Sequence, residues 1–376
     1  MPANLTEIES AALSASANLS DGHAYRSPSK REAAVLETAG RLLLGLDRRN
    51  LEKLSRVYLE EFFALGKQTL RVDDFHAYHC LSASMAIEMI ANHLRLQEMR
   101  AVLVEPCFDN LSDILKRHQV SLGVIPDDLY EHPSALVDVL DRHETDAVFL
   151  VSPNNPTGRH LPAPSLKAVA EHCARRGRLL ILDACFRFYM PERYTYDQYA
   201  ILMRSGADWI LIEDTGKTWP TQEVKAPFFC TSASVTKPLG RIYNDFLLMG
   251  SPFALALLTE LVRSAAEDGL ESVQGIVEHN RSVLRRALAG TTLRPVEMPF
   301  VGVSWLALQE GTSADEFCAV LSGLGVEVLP GGPFFWNDSA RGAHYMRVSL
   351  VRDPDVFQRA VTSLACAWAE FGGSSA

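Results

Sequence analysis

The sequence predicts an α/β protein: a large domain on a mostly parallel, seven-stranded sheet flanked by helices, then a smaller α+β C-terminal domain. Three observations carry this. From about residue 100 onward, short β-rich apolar runs alternate with longer helical patterns, as crossover connections between parallel strands require. That alternation lapses around Thr291–Pro299, and a second, shorter pattern begins. The 376 residues suffice for two domains at roughly 100 to 200 residues each, with cores that need neither disulfides nor metals.

The strand-like runs are Ala101–Val104, Leu122–Ile125, Ala147–Val151, Leu179–Asp183 and Trp209–Glu213. Between them, Asn110–His118, Ser134–Arg142, Ala163–Arg176 and Tyr196–Ser205 each place Leu, Ile, Val or Ala on one helical face. Phe228–Thr231 and Asp245–Met249 complete the seven strands. A long helix then starts at Ser251 with Pro252 in its first position and runs to Leu288, broken near Gly269. The C-terminal unit reads as strands Val301–Leu308, Val326–Leu329 and Tyr345–Leu350, with helices Ser313–Leu324 and Asp353–Glu370. The boundaries are 1–30 for an N-terminal segment with no clear place in either core, 31–290 for the large domain and 291–376 for the small one. Residues 31–65 are able to pack with the small domain, and 372–376 read as a frayed tail.

Composition narrows the ligands. With 36 Lys plus Arg against 46 Asp plus Glu the formal charge is −10, which argues against a basic face for nucleic acid. Small molecules are the expected partners. Seven cysteines show neither a two-residue-gap pair nor zinc-ligand spacing with His, so no metal is expected and the thiols read as reduced. The N-terminus lacks the features of a secretion signal. The longest apolar stretch, Phe246–Leu258, is interrupted by Gly250, Ser251 and Pro252 and is too short to span a bilayer. A soluble cytoplasmic protein, not held at a membrane, is the expectation.

Four features fall at strand ends, where open α/β sheets gather ligand-binding groups. Ser152-Pro153-Asn154-Asn155-Pro156-Thr157-Gly158 follows Val151; taken alone, it is equally a tight turn. Asp183 ends an apolar strand, where a carboxylate also serves as a helix cap. Lys217 lies between a strand end and Trp219-Pro220, a setting that can desolvate its ammonium and suit it to a Schiff base. Arg347, within an alternating strand, reads as an edge charge or as a bidentate clamp for a carboxylate.

Their order and spacing say more than any one of them. Asn155, Asp183 28 residues later, Lys217 34 beyond that, and the late Arg347 give a chain that resembles the fold-type-I, pyridoxal-phosphate-dependent aminotransferase family along essentially its whole length. The resemblance implies a fold and a set of roles. Lys217 would carry pyridoxal 5'-phosphate as a Schiff base, Asp183 would hold the pyridine nitrogen protonated, Asn155 would bond the ring hydroxyl oxygen, and Phe108 would stack on the ring. Ser82, Ala83 and Ser84, opening a helix, would cradle the phosphate with free amides. Lys225 stands where the family usually has an Arg for the same phosphate, keeping the charge but losing the fork. A homodimer is implied too.

Three departures narrow the reading. Phe186 stands where many relatives have Tyr, Glu213-Asp214 gives Lys217 an acidic approach suited to a cationic substrate, and the N-terminal segment collects Thr6, Glu9, Asp21, Gly22 and His23. Thr6 and Glu9 also read as a capping box. With Cys107-Phe108-Asp109-Asn110 and Asp214 through Thr221, the ensemble looks like the oxygen-using L-arginine oxidases and hydroxylases of guanidine-derived antibiotic pathways. That resemblance implies a four-electron oxidation of L-arginine by dioxygen to 4-hydroxy-2-ketoarginine and 2-ketoarginine, releasing ammonia and hydrogen peroxide. Arg347 would clamp the carboxylate, Glu9, Asp21 and Asp214 would hold the guanidinium, Thr6 would join them in binding the substrate, Lys217 would remove the α-proton, and His23 would act as acid/base or position a water. The N-terminal segment would be a lid. Alternatives are a desaturase stopping at dehydroarginine and a conventional aminotransferase for a basic amino acid. A catalytically silent scaffold has little use for Asp183, Lys217 and Arg347 together. A nicotinamide dehydrogenase lacks its Gly-x-Gly-x-x-Gly turn here.

Overall fold

The computed structural model describes residues 4–69 and 71–371; the expected tail at 372–376 lies outside them. Its main sheet has seven strands in the order His76–His79, Phe228–Thr231, Asp208–Glu213, Leu179–Asp183, Ala147–Val151, Ala101–Glu105 and Leu122–Pro126. Phe228–Thr231 runs antiparallel to both neighbours, and the five strands beyond it pair in parallel. Every residue of Ala101–Glu105, Ala147–Val151 and Leu179–Asp183 is buried, which is why these runs are apolar without alternation. Helices cover both faces.

One expected strand is replaced by another. Asp245–Met249 is not a strand, because Ala233–Phe246 forms a helix that buries Val235, Leu239, Ile242 and Tyr243 at helical spacing despite Pro238. The seventh strand is His76–His79, at the sheet edge. The long helix follows the expected break: Pro252–Glu267 and Glu271–Ala287 are separated at Gly269 and Leu270, both at positive φ. Ser251 accepts the Ala254 N–H at its start. Helix Leu51–Leu65 turns Tyr58, Phe62 and Phe63 onto Phe228 of the main sheet and packs along Pro252–Glu267.

The C-terminal unit carries a four-stranded antiparallel sheet, ordered Leu329–Pro330, Tyr345–Ser349, Val303–Ala307 and Arg294–Pro295. Helix Pro354–Phe371 packs against Glu271–Ala287. The run expected as one strand at Val326–Leu329 splits into Val326–Glu327 and Leu329–Pro330, which join different sheets.

The N-terminal segment does have a place in the core, against expectation. Ala17–Asn18 pairs in parallel with Val326–Glu327, and Leu19 is fully buried in the main core. Leu5 is equally buried, in a second cluster with Trp305, Leu329, Phe334 and Phe335. Arg352 binds three carbonyls of the segment, donating to Asn18 and His23 at 2.5 and 3.0 Å and to Asp21 at 2.6 Å. Helix Leu5–Ala11 starts with a capping box, but its members are Asn4 and Glu7, not Thr6 and Glu9. Thr6 and Glu9 are thereby free for other contacts.

Candidate active site

The parallel strands deliver their C-terminal ends to one cavity of about 190 Å³. Ala101–Glu105 leads to Phe108, Ala147–Val151 to Asn155, Leu179–Asp183 ends on Asp183 itself, and Asp208–Glu213 leads to Asp214 and Lys217. Ser82, Ala83 and Ser84 open helix Ala83–Leu96, Arg347 comes from the C-terminal sheet, and Thr6, Glu9 and His23 come from the N-terminal segment. Lys225 also lines this space. Of the fourteen residues singled out from sequence, thirteen line the cavity and one does not.

The exception is Asp21. It lies behind His23, accepting the imidazole Nδ1–H at 2.6 Å and the His23 amide at 2.8 Å through the same Oδ1. Burial would raise the Asp21 carboxyl, but these hydrogen bonds outweigh it and hold it below the usual range. His23 is shifted down, first by burial and then by the nearby Lys217 charge, so its ring is neutral near pH 7. With Nδ1–H donated to Asp21, Nε2 carries the lone pair and lies 3.3 Å from Lys217 Nζ. An expected guanidinium partner is thus a support for the imidazole.

Arg347 is wholly buried and heavily engaged. Its Nη1 donates to Asn155 Oδ1 at 3.1 Å, and its Nη2 donates to Glu9 Oε1 at 2.7 Å and to the Ser20 carbonyl. The guanidinium carbon lies 5.4 Å from the ring centroids of both Phe108 and Phe334. Glu9, expected to face a guanidinium of the substrate, faces the protein's own.

Asp183 is buried, which raises its carboxyl above the ordinary range; Oδ1 accepts the Cys185 N–H at 2.9 Å. The Cys185 thiol also bonds this carboxyl, and among the described residues no N–H or O–H reaches its other oxygen, which leaves an acceptor for a group in the cavity. Ser82 caps its helix through the Met85 N–H, and Ser84 accepts from Asn110 Nδ2. The Ala83 and Ser84 amides are left for an anion, and Lys225 makes no ion pair or hydrogen bond among the described residues.

Two glycines permit this crowding. A Cβ at Gly158, where φ is +70°, would sit 2.0 Å from the Met298 carbonyl oxygen. A Cβ at Gly216 would meet Lys225 Cδ at 2.6 Å, and the Gly216 carbonyl accepts the Ala24 N–H at 3.2 Å. The Asn155 turn is braced from behind by Asp127, which accepts from Asn154 at 2.8 Å and from Thr157 and is pushed up to about 6 by its burial.

Sequence reasoning missed several lining groups: Ile87, Asn110, Leu111, Val151, Cys185 and Phe186. Asn110 and Phe186 belonged to stretches already noted. Phe334 and Arg352, which support Arg347 and His23, carried no local signal.

The profile of the family described as aminotransferase class I and II matches residues 12–364. This chain belongs to that family. A solved structure of MppP soaked with the product 2-ketoarginine superposes with a TM-score of 0.85 at 32% identity, covering 93% of this chain and 99% of that one. LysN, an α-aminoadipate aminotransferase from Thermus thermophilus, superposes at 0.80 with 19% identity over 98% of this chain and 95% of its own, a likeness of fold. Among curated relatives, histidinol-phosphate aminotransferase of Methanococcus maripaludis is 25% identical over 212 residues, 55% of this chain. That match spans 52% of the relative's own length. The family's cofactor is pyridoxal 5'-phosphate, and the cavity suits it: a buried carboxyl with an oxygen that no N–H or O–H of the described residues reaches, a lysine amine, a helix start and a second lysine unpaired among the described residues.

Proposed function

We propose that this chain holds pyridoxal 5'-phosphate on Lys217 and oxidises L-arginine with dioxygen. The products are 4-hydroxy-2-ketoarginine and 2-ketoarginine, with ammonia and hydrogen peroxide. One observation carries the reading: the likeness to MppP, whose structure was soaked with 2-ketoarginine as its product, over 93% of the chain. When bound, the cofactor supplies an electron sink for charge developing at the substrate α-carbon.

The residues then divide the work. Asp183 pairs with the ring nitrogen, a cationic partner that would relieve the burial of its carboxylate. Asn155, whose Oδ1 is committed to Arg347, has its Nδ2 for the ring hydroxyl oxygen. Phe108 covers one face, and the Ser82–Ser84 amides with Lys225 take the phosphate. Arg347 binds the substrate carboxylate, and Thr6, Glu9 and Asp214 surround the guanidinium. Lys217 Nζ removes the α-proton. His23 Nε2, 3.3 Å away and kept in one tautomer by Asp21, can take a proton from that amine or orient a water. The N-terminal segment excludes bulk water from the reacting carbon.

The test is turnover of the purified holoenzyme with L-arginine, following oxygen uptake and product mass together. Oxygen-dependent formation of 4-hydroxy-2-ketoarginine is expected; turnover that needs a keto acid and no oxygen would overturn the reading. That second outcome is favoured by the curated relatives, which include a 2-aminoadipate transaminase 23% identical over 57% of this chain, and would make the protein an aminotransferase for a basic amino acid. Product mass also separates a desaturase giving dehydroarginine. We place the enzyme in the cytoplasm, where its seven unpaired cysteines would stay reduced. Among the described residues, no helix is long and apolar enough to cross a membrane. A homodimer is proposed from exposed Phe246, Leu248 and Met249, apolar groups that a second copy would cover.

A further inference from the structure

Glu9 occupies the group that a substrate carboxylate would need. Among the described residues Arg347 supplies the sole guanidinium lining the cavity, and its Nη2 is held by Glu9 Oε1 at 2.7 Å. The Glu9 side chain is 11% exposed, and Arg347 is its one ionic partner among the described residues. The helix that carries it is moored at its N-terminal end, with Leu5 in the Trp305, Phe334 and Phe335 cluster and the Leu5 amide donating to Asp109 Oδ2 at 2.7 Å. The other partner of Nη2, the Ser20 carbonyl, is backbone held between Asn18 and Asp21, whose carbonyls Arg352 grips, so a ligand carboxylate reaches Nη2 by turning the Glu9 side chain off it while the helix stays docked. The displaced carboxylate then sits in a largely buried space whose other cations, Lys217 and Lys225, are those assigned to the cofactor.

We propose that Glu9 sets substrate selectivity by an exchange of partners on Arg347. The ligand's carboxylate replaces Glu9 on the arginine, and the ligand's own side-chain cation replaces the arginine on Glu9. An amino acid with a cationic side chain re-forms both ion pairs. A neutral amino acid re-forms one and leaves the Glu9 carboxylate buried and unpaired, which is strongly unfavourable. Selectivity for basic amino acids thus arises partly from a penalty on neutral ones. This rests on the arginine reading for the identity of the cation, though the exchange itself does not.

The experiment is anaerobic calorimetric titration of the holoenzyme with L-arginine and with L-norvaline, in wild type and Glu9→Gln. Glutamine can accept from Arg347 without leaving a buried charge when displaced, so norvaline affinity should rise about tenfold or more while arginine affinity falls. Unchanged or weaker norvaline binding by the variant overturns the exchange, even where wild type prefers arginine. A norvaline gain in a protein that never preferred arginine supports the exchange and removes the arginine reading instead. Amide hydrogen exchange of wild-type residues 5–11 gives a check without mutation. Saturating norvaline should speed it and arginine should slow it; equal protection by both ligands overturns the proposal.

Discussion

Lys217 Nζ and His23 Nε2 stand 3.3 Å apart, although 194 residues separate them along the chain. The contact brings a neutral imidazole to the amine, with Asp21 fixing its tautomer from the far side. Replacing His23 by Ala should lower formation of the hydroxylated product by about 100-fold, the usual scale for one general acid/base. Cofactor content should stay unchanged, as read by absorbance. Full activity in the variant would remove His23 from the chemistry.

The pH dependence follows from the same pair. Burial lowers the His23 pKa while Asp21 partly raises it, so the ring is neutral above that lowered value and protonates as pH falls. Asp21→Asn removes a raising influence, and the acid limb of the pH–rate profile should move to lower pH as the rate drops. The unfolded chain binds the His23 proton more readily than the folded one, so this group costs stability as pH falls below about 6.5. Chemical denaturation at pH 7 and at pH 5.5 should show that loss shrinking in His23→Ala.

Lys217→Ala should abolish the visible absorption of bound pyridoxal 5'-phosphate as an imine, because the variant lacks the amine beside His23 that is proposed to form it, and Lys225, the other lysine of the cavity, is assigned to the phosphate. An unchanged spectrum from purified variant would remove the central assignment.

Deleting the first 23 residues is a poor test of the lid, because it takes Leu19 out of the main core at a cost of about 2–5 kcal/mol. Removing residues 4–14 spares Leu19 and the main core, taking Leu5 from the smaller cluster together with Thr6 and Glu9. That variant should retain cofactor but lose most hydroxylation, measured by product mass. Equal product yield would rule out the lid.

Gly158→Ala should destabilise the fold by about 1–3 kcal/mol from the left-handed backbone alone, with the clash against Met298 adding to it. Thermal unfolding gives the measure, and a wild-type midpoint would contradict the geometry.

Much of this architecture was legible because buried parallel strands are written as unbroken apolar runs. Ala147–Val151 and Leu179–Asp183 begin and end where their sequence suggests. The edge strand His76–His79 was not, since an edge pairs on one side and tolerates polar residues. Phe246–Met249 misled for the opposite reason: it is apolar yet exposed. The buried groups of the N-terminal segment, Leu5 and Leu19, are single residues among polar ones, and their neighbours Phe334 and Glu327 lie 300 residues away or more. For the site, the residue types were readable and the pairings were not. Asp21 as a support for His23, and Glu9 on Arg347, are facts of distance that spacing does not encode.

Arg352 grips the carbonyls of Asn18, Asp21 and His23, so the imidazole is seated by a residue 329 positions downstream of it. On a ribosome, the nascent polypeptide would complete its sheet and Lys217 long before that anchor emerged. The pocket around His23 therefore cannot close until Arg352 has been made, and a product truncated before that residue would lack the seat of the imidazole.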